Sequence, residues 1–289
     1  MPRPIVQERG TMSATTGSKH DISIIVPVLN EVDGIRQLRE KLTRVRALLS
    51  EIGNVELVLV DDGSTDGTLA SLRDEFAEGD QCRIVAHSRN RGVGAAFRTG
   101  FQNATGNIIC TIDADCSYEP EGLKRLIDAI LAGADIATAS PYHPAGSVQD
   151  VASWRLLLSR ACSVFYRMIS PVSLYTYTSI FRAYRSIVVE TIRFESDGFV
   201  SAAEILIRAA ERGYRISEVP MILRGRKVGT TKMKIARNIR QHLIMQGRVL
   251  LQRLDLGHLD AANRPLTISS VPGPVVPTGA ANDQAKRSK

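Results

Sequence analysis

Apolar positions along this chain alternate between two spacings. Short, mostly apolar runs at residues 22–28, 55–60, 83–87, 108–112 and 136–139 read as strands buried on both faces. Between them the spacing shifts to three and four. Ile35, Leu38, Leu42, Val45 and Leu49 share one face of a helix over 32–49. Helices also fit 68–76, 94–103 and 120–131, the last with proline at its start. This βαβα order predicts a mostly parallel α/β sheet with helices on both faces. After residue 140 the pattern changes. Residues 151–169 read as an amphipathic helix with Trp154, Leu158, Ala161, Phe165 and Met168 on one stripe. A strand at 181–184, a helix at 200–212, a strand at 216–219 and a basic amphipathic helix at 233–254 follow.

The ends carry no such period. Residues 1–20 are small and polar, and 257–289 are rich in Pro, Gly and Ala, so both are expected to be disordered. The expected division is a catalytic domain over 21–232 and a membrane-interface helix over 233–256.

Charge adds a partner to this picture. The net charge is only +7 over 289 residues, but no acidic residue lies between Glu218 and Asp255. Arg224, Arg226, Lys227, Lys232, Lys234, Arg237, Arg240, Arg248 and Arg253 all fall there. Such a block suits an anionic surface: a membrane, a lipid phosphate or nucleic acid. Residues 219–254 hold no Phe, Tyr or Trp, which argues against stacking on single strands and so against nucleic acid. No run reaches the roughly 18 apolar residues of a membrane span, and no apolar signal core opens the chain. Membrane contact is therefore expected to be peripheral, or made through an integral-membrane partner. Cys82, Cys110, Cys116 and Cys162 show no CxxC spacing, which fits a reducing, cytoplasmic setting.

The candidate chemistry sits where strands end. The run 55–60 stops at Asp61-Asp62-Gly63-Ser64, and 108–112 stops at Asp113-Ala114-Asp115. Ligands of open α/β sheets bind beyond the carboxyl ends of strands. Carboxylates gathered there repel one another unless a cation or a set of donors sits among them. Asp113 and Asp115 can chelate Mg²⁺ or Mn²⁺, which keeps water and phosphate oxygens as its other ligands, while Ala114 stays small. Asn30 is placed to cap the helix that follows, and Glu31 to accept from a ribose hydroxyl or base N–H, or to serve only in capping. Gly63 permits a close backbone approach. Arg89-Asn90-Arg91-Gly92-Val93-Gly94 is a Gly-rich helix entry or a plain turn, because Phe97 occupies the third position of a dinucleotide fingerprint.

Taken together, Val26-Pro27-Val28-Leu29-Asn30-Glu31, Val60-Asp61-Asp62-Gly63-Ser64-Thr65-Asp66-Gly67-Thr68 and Asp113-Ala114-Asp115 resemble the family 2 glycosyltransferases. Ser179-Ile180-Phe181-Arg182-Ala183-Tyr184-Arg185 is similar to a stretch of their dolichyl- and polyprenyl-phosphate mannosyl- and glucosyltransferases. So is Glu218-Val219-Pro220 followed by Arg226, Gly229, Thr231 and Lys232. The chain departs from that pattern at Leu29 and Cys116, where the family usually has Tyr and Leu, and at Ala139-Ser140-Pro141-Tyr142, where the family carries Gly-Ser-Arg-Tyr; His143 is either a replacement for that Arg or a surface residue.

The resemblance implies a GT-A-like (Rossmann-like) fold ending in amphipathic interface helices. It also implies inverting transfer of a hexose, mannose or glucose, from a GDP- or UDP-sugar to a polyprenyl or dolichyl phosphate on the inner membrane face. Pro27, Leu29, Glu31, Asp61, Asp62, Asp113, Ala114, Asp115, Arg226 and Lys232 are then expected to bind the nucleotide sugar. Asp113 and Asp115 hold the metal, and Asp115 and Arg155 are catalytic. Arg155, Ser159 and Arg182 hold the acceptor phosphate; Arg155 and Ser159, at i and i+4, share a helix face. A second reading keeps the donor site but transfers to a sugar hydroxyl, with Asp197 or Glu204 as base. An inactive nucleotide-sugar-binding scaffold sits poorly with the retained Asp-x-Asp.

Overall fold

The computed structural model describes residues 20–76, 81–225 and 235–256. Its first half follows the expected alternation: β1 (His20–Val28), α1 (Ile35–Leu49), β2 (Gly53–Asp61), α2 (Thr68–Glu75), β3 (Cys82–Ala86), α3 (Val93–Asn103), β4 (Ile108–Thr111), α4 (Leu123–Leu131) and β5 (Ile136–Ser140). β6 (Ser147–Gln149), α5 (Ser153–Ile169), β7 (Arg182–Arg185), α6 (Ser186–Thr191), α7 (Val200–Glu211), β8 (Ile216–Pro220), β9 (Ile222–Arg224) and α8 (Ile235–Leu256) complete it. Residues 1–19 and 257–289, read above as disordered, lie outside the described residues.

Seven strands form one sheet in the order β3-β2-β1-β4-β7-β5-β8. β1 lies between β2 and β4 and is parallel to both. Its side chains explain the unbroken apolar run. Ile22, Ile24, Val26 and Val28 pack with Leu38 and Leu42 of α1 and Leu126 of α4, while Ile25 packs with Ala96 and Phe97 of α3. With helices on both faces, neither set of alternate positions can be polar. β7 runs antiparallel to both of its neighbours, β4 and β5, so the sheet is mostly rather than wholly parallel.

Three features differ from expectation. Residues 32–34 and 120–122 form single 3-10 turns, so α1 and α4 begin three residues later than the spacing predicts. The parallel ribbon β6–β9 and the one-and-a-half-turn α6 are too short to show a period in sequence. On α5, the exposed stripe runs through Trp154, Leu157, Ala161, Val164 and Met168, while Leu158 is half-buried.

α8 packs against α5 and α7. Its inward face is unusual: His242, Gln246 and Val249 are buried, and Tyr166 Oη lies 3.0 Å from His242 Nδ1. Leu243, Ile244, Leu250 and Leu251 point outward. Burial pushes the His242 imidazole down to about 4 from its ordinary 6.5. The packed form is therefore neutral. Its stabilisation is complete above pH 6.5 and is lost as pH falls toward 4, because the unfolded chain takes up the proton first. Thermal unfolding between pH 7.5 and 4.5 is expected to show a falling Tm whose slope is reduced in His242→Gln. Equal slopes in the two proteins would show that His242 does not carry the effect.

Candidate active site at the strand-end carboxylates

Parallel pairing puts the carboxyl ends of β1, β2 and β4 on one edge. Val28 is level with Asp61 in the β1–β2 ladder, and Ile112 N donates to Ile25 O at 3.1 Å, so Asp113 follows directly at the same edge. Adjacent strands lie about 4.8 Å apart, which brings Asp61 and Asp113, on either side of β1, to roughly 10 Å. Pro27 and Leu29, both half-buried, occupy the ground between them.

The two aspartates after β2 have separate jobs. Asp62 is buried and spends both oxygens on protein. Its Oδ1 lies 2.7 Å from His87 Nδ1 and accepts from Arg91 N at 2.9 Å, while Oδ2 accepts from Gly92 N at 2.7 Å. His87 in turn meets Thr99 Oγ1 at 2.8 Å. Asp62, expected among the nucleotide-binding residues, therefore holds the Gly-rich entry to α3. Asp61 is also buried; its Oδ2 accepts from Ser64 N at 3.2 Å, but among the described residues Oδ1 has no hydrogen-bond partner. A buried acceptor without a donor is costly, so this oxygen is suited to a ligand N–H or O–H.

The surrounding turn is fixed tightly. Asn30 does not cap its own helix as expected: its Oδ1 accepts from Thr65 N at 2.7 Å and its N–H donates to Ser64 Oγ at 2.8 Å. Glu31 N donates to Thr68 Oγ1 at 2.8 Å. Gly63 has φ 72°, and a Cβ there would lie 2.2 Å from Arg89 C, so the turn accepts only glycine.

After β4, Asp115 Oδ1 accepts from Ser117 N at 3.0 Å and Ser117 Oγ at 2.8 Å. Among the described residues no group of three or more His, Cys, Asp or Glu forms a metal cage. Two carboxylates at alternate positions fit Mg²⁺ or Mn²⁺, which complete their shell with water and phosphate oxygens. Burial pushes the Cys116 thiol up to about 12, which disfavours the thiolate. Beside this loop opens a cleft lined by Glu31, Gln37, Lys41, Asp115, Glu119 and Arg224. Four of these, Gln37, Lys41, Glu119 and Arg224, carried no individual signal in the sequence, where only the basic block flagged Arg224.

On α5, Arg155 lies with its guanidinium carbon 5.4 Å from the Trp154 ring centroid. Ser159 Oγ meets Thr178 Oγ1 at 2.9 Å. The 174–178 loop is pinned by Glu218, whose carboxylate accepts from Tyr175 N at 2.8 Å and Thr176 N at 3.0 Å. Arg182 is corrected: it is fully buried on the inner strand β7, and its guanidinium donates to Thr138 Oγ1 at 3.2 Å, Ala202 O at 2.6 Å and Tyr177 O at 2.9 Å. It braces backbone, with its guanidinium committed to these protein acceptors. Glu204 is buried as well. Burial opposes its ionisation, yet hydrogen bonds from Ser196 and Glu195 and the nearby Arg208 hold it below the usual carboxylate range. Asp197 pairs with Arg98, and its carbonyl accepts from Gly94 N at 2.7 Å. Arg226 and Lys232 lie outside the described residues.

The contrast between the paired aspartates is measurable. Asp62→Ala removes the acceptor of two part-buried N–H groups and of the buried His87 ring, and is expected to destabilise the fold by about 2–4 kcal/mol in urea unfolding. Asp61→Ala removes one oxygen without a partner and a single 3.2 Å bond from Ser64 N, and is expected to cost less, about 1 kcal/mol. Equal losses would mean that Asp61 is also a structural brace.

Comparison with known proteins agrees with this geometry. The family described as Glycosyl transferase family 2 matches residues 23–192. The chain is 34% identical over 243 residues to polyprenol monophosphomannose synthase of Mycolicibacterium smegmatis, covering 81% of this chain and 89% of that protein. It is 31% identical over 215 residues to dolichol-phosphate mannosyltransferase of Pyrococcus furiosus, covering 74% of this chain and 59% of that protein. Glucosyl-3-phosphoglycerate synthase from Mycobacterium tuberculosis, solved with Mn²⁺, uridine diphosphate and glucosyl-3-phosphoglycerate, superposes with a TM-score of 0.59. That match has 18% identity, covers 78% of this chain and 80% of that one, and shows a shared GT-A-like fold. On the family match and the two curated relatives, the chain belongs to glycosyltransferase family 2.

Proposed function

We propose that this glycosyltransferase moves a hexose, mannose or glucose, from a GDP- or UDP-sugar to a polyprenyl or dolichyl phosphate, with inversion at the anomeric carbon. The observation that carries this reading is the single edge shared by Asp61, Asp113 and Asp115, with one buried Asp61 oxygen lacking a donor. The relatives named for mannosyl transfer to lipid phosphates support the acceptor.

Within this reading Asp61 accepts from the nucleoside, and Pro27, Leu29 and Glu31 line its bed. Asp113 and Asp115 hold Mg²⁺ or Mn²⁺, which offsets the charge that builds on the leaving diphosphate. An acceptor phosphate is already anionic near neutral pH, so the protein needs to aim it rather than deprotonate it. Arg155 and Ser159 serve that purpose, and Arg226 and Lys232 supply further cations. Transfer to a sugar hydroxyl would need a base, and both candidates are committed elsewhere: Glu204 to backbone N–H groups and Asp197 to Arg98.

A membrane surface completes the reading. Among the described residues no helix is long and apolar enough to cross a bilayer. Yet Leu157 is 72% exposed, Met168 71%, Leu243 62% and Leu251 63%, and α8 turns its polar His242 and Gln246 inward instead. Covering each such side chain stabilises by about 1.5–3 kcal/mol. Arg160, Arg240 and Arg248 are exposed on the same two helices, which suits anionic headgroups beside acyl chains. Nucleotide sugars arise in the cytoplasm, so the inner face is the side proposed.

GDP-mannose and UDP-glucose, each with a polyprenyl phosphate and Mn²⁺, are the donors to screen, with the lipid product identified by mass. Asp115→Ala is expected to abolish metal-dependent donor binding, and undiminished binding in chelator would refute the metal role. Arg155→Ala is expected to lower transfer by about 100-fold while leaving donor affinity within about twofold. A collapse of donor affinity would remove Arg155 from the acceptor side. In flotation with anionic vesicles, Leu157→Glu combined with Leu243→Glu is expected to weaken binding at least about tenfold. A wild-type protein that ignores vesicles would point to an integral-membrane partner as the cover.

A further inference from the structure

The ribbon β6–β9 has three residues in each strand, and a two-stranded piece of that length does not hold its own position. It nevertheless stands at the junction of everything the reaction has to align. β6 leads through Asp150 to the start of α5, where Arg155 lies. The N-terminus of α5 has no side-chain cap, so the chain entering it sets where it begins. β9 leads to the segment that carries Arg226 and Lys232 in sequence. What fixes the ribbon is therefore what fixes the acceptor side against the donor side.

Beside the backbone bond from Ser147 N to Met221 O at 3.1 Å and the packing of Leu223 on the core, the charged tie to the metal-binding loop runs through one residue. Arg224 N donates to Ser117 O at 2.9 Å. Its guanidinium donates to Glu119 Oε1 at 2.6 Å and to Gln149 Oε1, on β6, at 3.4 Å. Glu119 is also held by Lys41 of α1, with Nζ 3.4 Å from Oε2. Ser117, which accepts the Arg224 N–H, is the residue whose own N–H and hydroxyl hold Asp115. The next residue closes the assembly: Gly225 N donates to Gln149 O at 2.8 Å, and a Cβ on Gly225 would lie 1.9 Å from Asp150 O. A continuous path thus runs from the Asp115 carboxylate through Ser117 and Arg224 to the strand that feeds α5.

We infer that Arg224 and Glu119 are positioning residues: their ion pair fastens the ribbon to the metal-binding loop and keeps the acceptor helix in register with the donor. The inference rests on the proposed lipid-phosphate acceptor reading. Side chains about 40% and 44% exposed form a pair that contributes little to stability, so its use lies elsewhere. In-line transfer needs the reacting atoms within about 3–3.5 Å, and a misplacement of about 1 Å can cost on the order of 100-fold in rate.

The test compares wild type with Arg224→Ala, Glu119→Ala, the charge exchange Arg224→Glu with Glu119→Arg, and Gly225→Ala. Three quantities are read: affinity for GDP or UDP with Mn²⁺, kcat for transfer to a short-chain polyprenyl phosphate in detergent, and hydrolysis of the nucleotide sugar per transfer event. Each alanine variant is expected to keep nucleotide affinity within about threefold, to lose about 10- to 100-fold in kcat, and to raise the hydrolysis fraction. The charge exchange is expected to recover at least about tenfold of the lost kcat, because it restores the pair with its polarity reversed. Gly225→Ala, which alters no charge, is expected to lower kcat in the same way by pushing the ribbon off Asp150. Unchanged kcat in the alanine variants, no recovery in the exchange, or nucleotide affinity falling in step with kcat would each overturn the inference. The last outcome would make the pair a donor ligand, since both residues line the cleft beside Asp115. A wild-type protein that transfers to no lipid phosphate would instead overturn the acceptor reading beneath it.

Discussion

Carboxylates at the ends of adjacent parallel strands repel one another, and the rest of this structure follows from how that repulsion is met. β1 separates β2 from β4 by one strand, which sets Asp61 and Asp113 on either side of a shallow bed. The fold stabilises its own share of the charge internally. Asp62 takes two backbone N–H groups and contacts His87, and Asp115 is braced by Ser117. Among the described residues one oxygen of Asp61 is left without a hydrogen-bond partner, and the proposed donor site is built from it and the Asp-x-Asp pair. A nucleoside diphosphate with a divalent ion supplies the complement: donors for the first and positive charge for the second.

A second regularity runs through the molecule. Several acidic side chains accept one or two backbone N–H groups from a loop elsewhere in the chain, Asp135 from Arg215 N among them. Glu56 takes Thr105 N, Asp62 takes Arg91 N and Gly92 N, Glu204 takes Glu195 N and Ser196 N, and Glu218 takes Tyr175 N and Thr176 N. Loops of this kind have polar backbone that must be satisfied where they pass near the core. A carboxylate accepting two such bonds orders a loop at low cost in chain length, and hydrogen bonds to charged groups are among the stronger ones. These acids look identical to catalytic ones in sequence. Their burial and their partners separate them.

The helices after the sheet show the opposite bias. α5 and α8 meet through Tyr166 and His242, both buried, and present leucine, isoleucine, methionine and tryptophan outward. In a water-facing pair the apolar stripe would lie between the helices. The inversion places the apolar surface on the same part of the chain as Arg155.

Period and composition alone determined the α/β alternation, the strand ends and the residues standing at them. The reason is local: a strand covered on both faces must be apolar throughout, and an acid that follows it abruptly is visible without any knowledge of neighbours. The family could be read for the same reason, because its motifs are short contiguous stretches at strand ends. Only the tertiary structure decided which acids are free for a ligand. Asp61 and Asp62 are adjacent in sequence but point to different partners, and Arg182 sits in a motif yet is sealed inside β7. Likewise β6 and β9, three residues each and more than seventy apart, gain meaning only by pairing, and Glu119 with Arg224 only through that pairing. Long-range partners are chosen by how the elements pack, and no spacing along the chain encodes that choice.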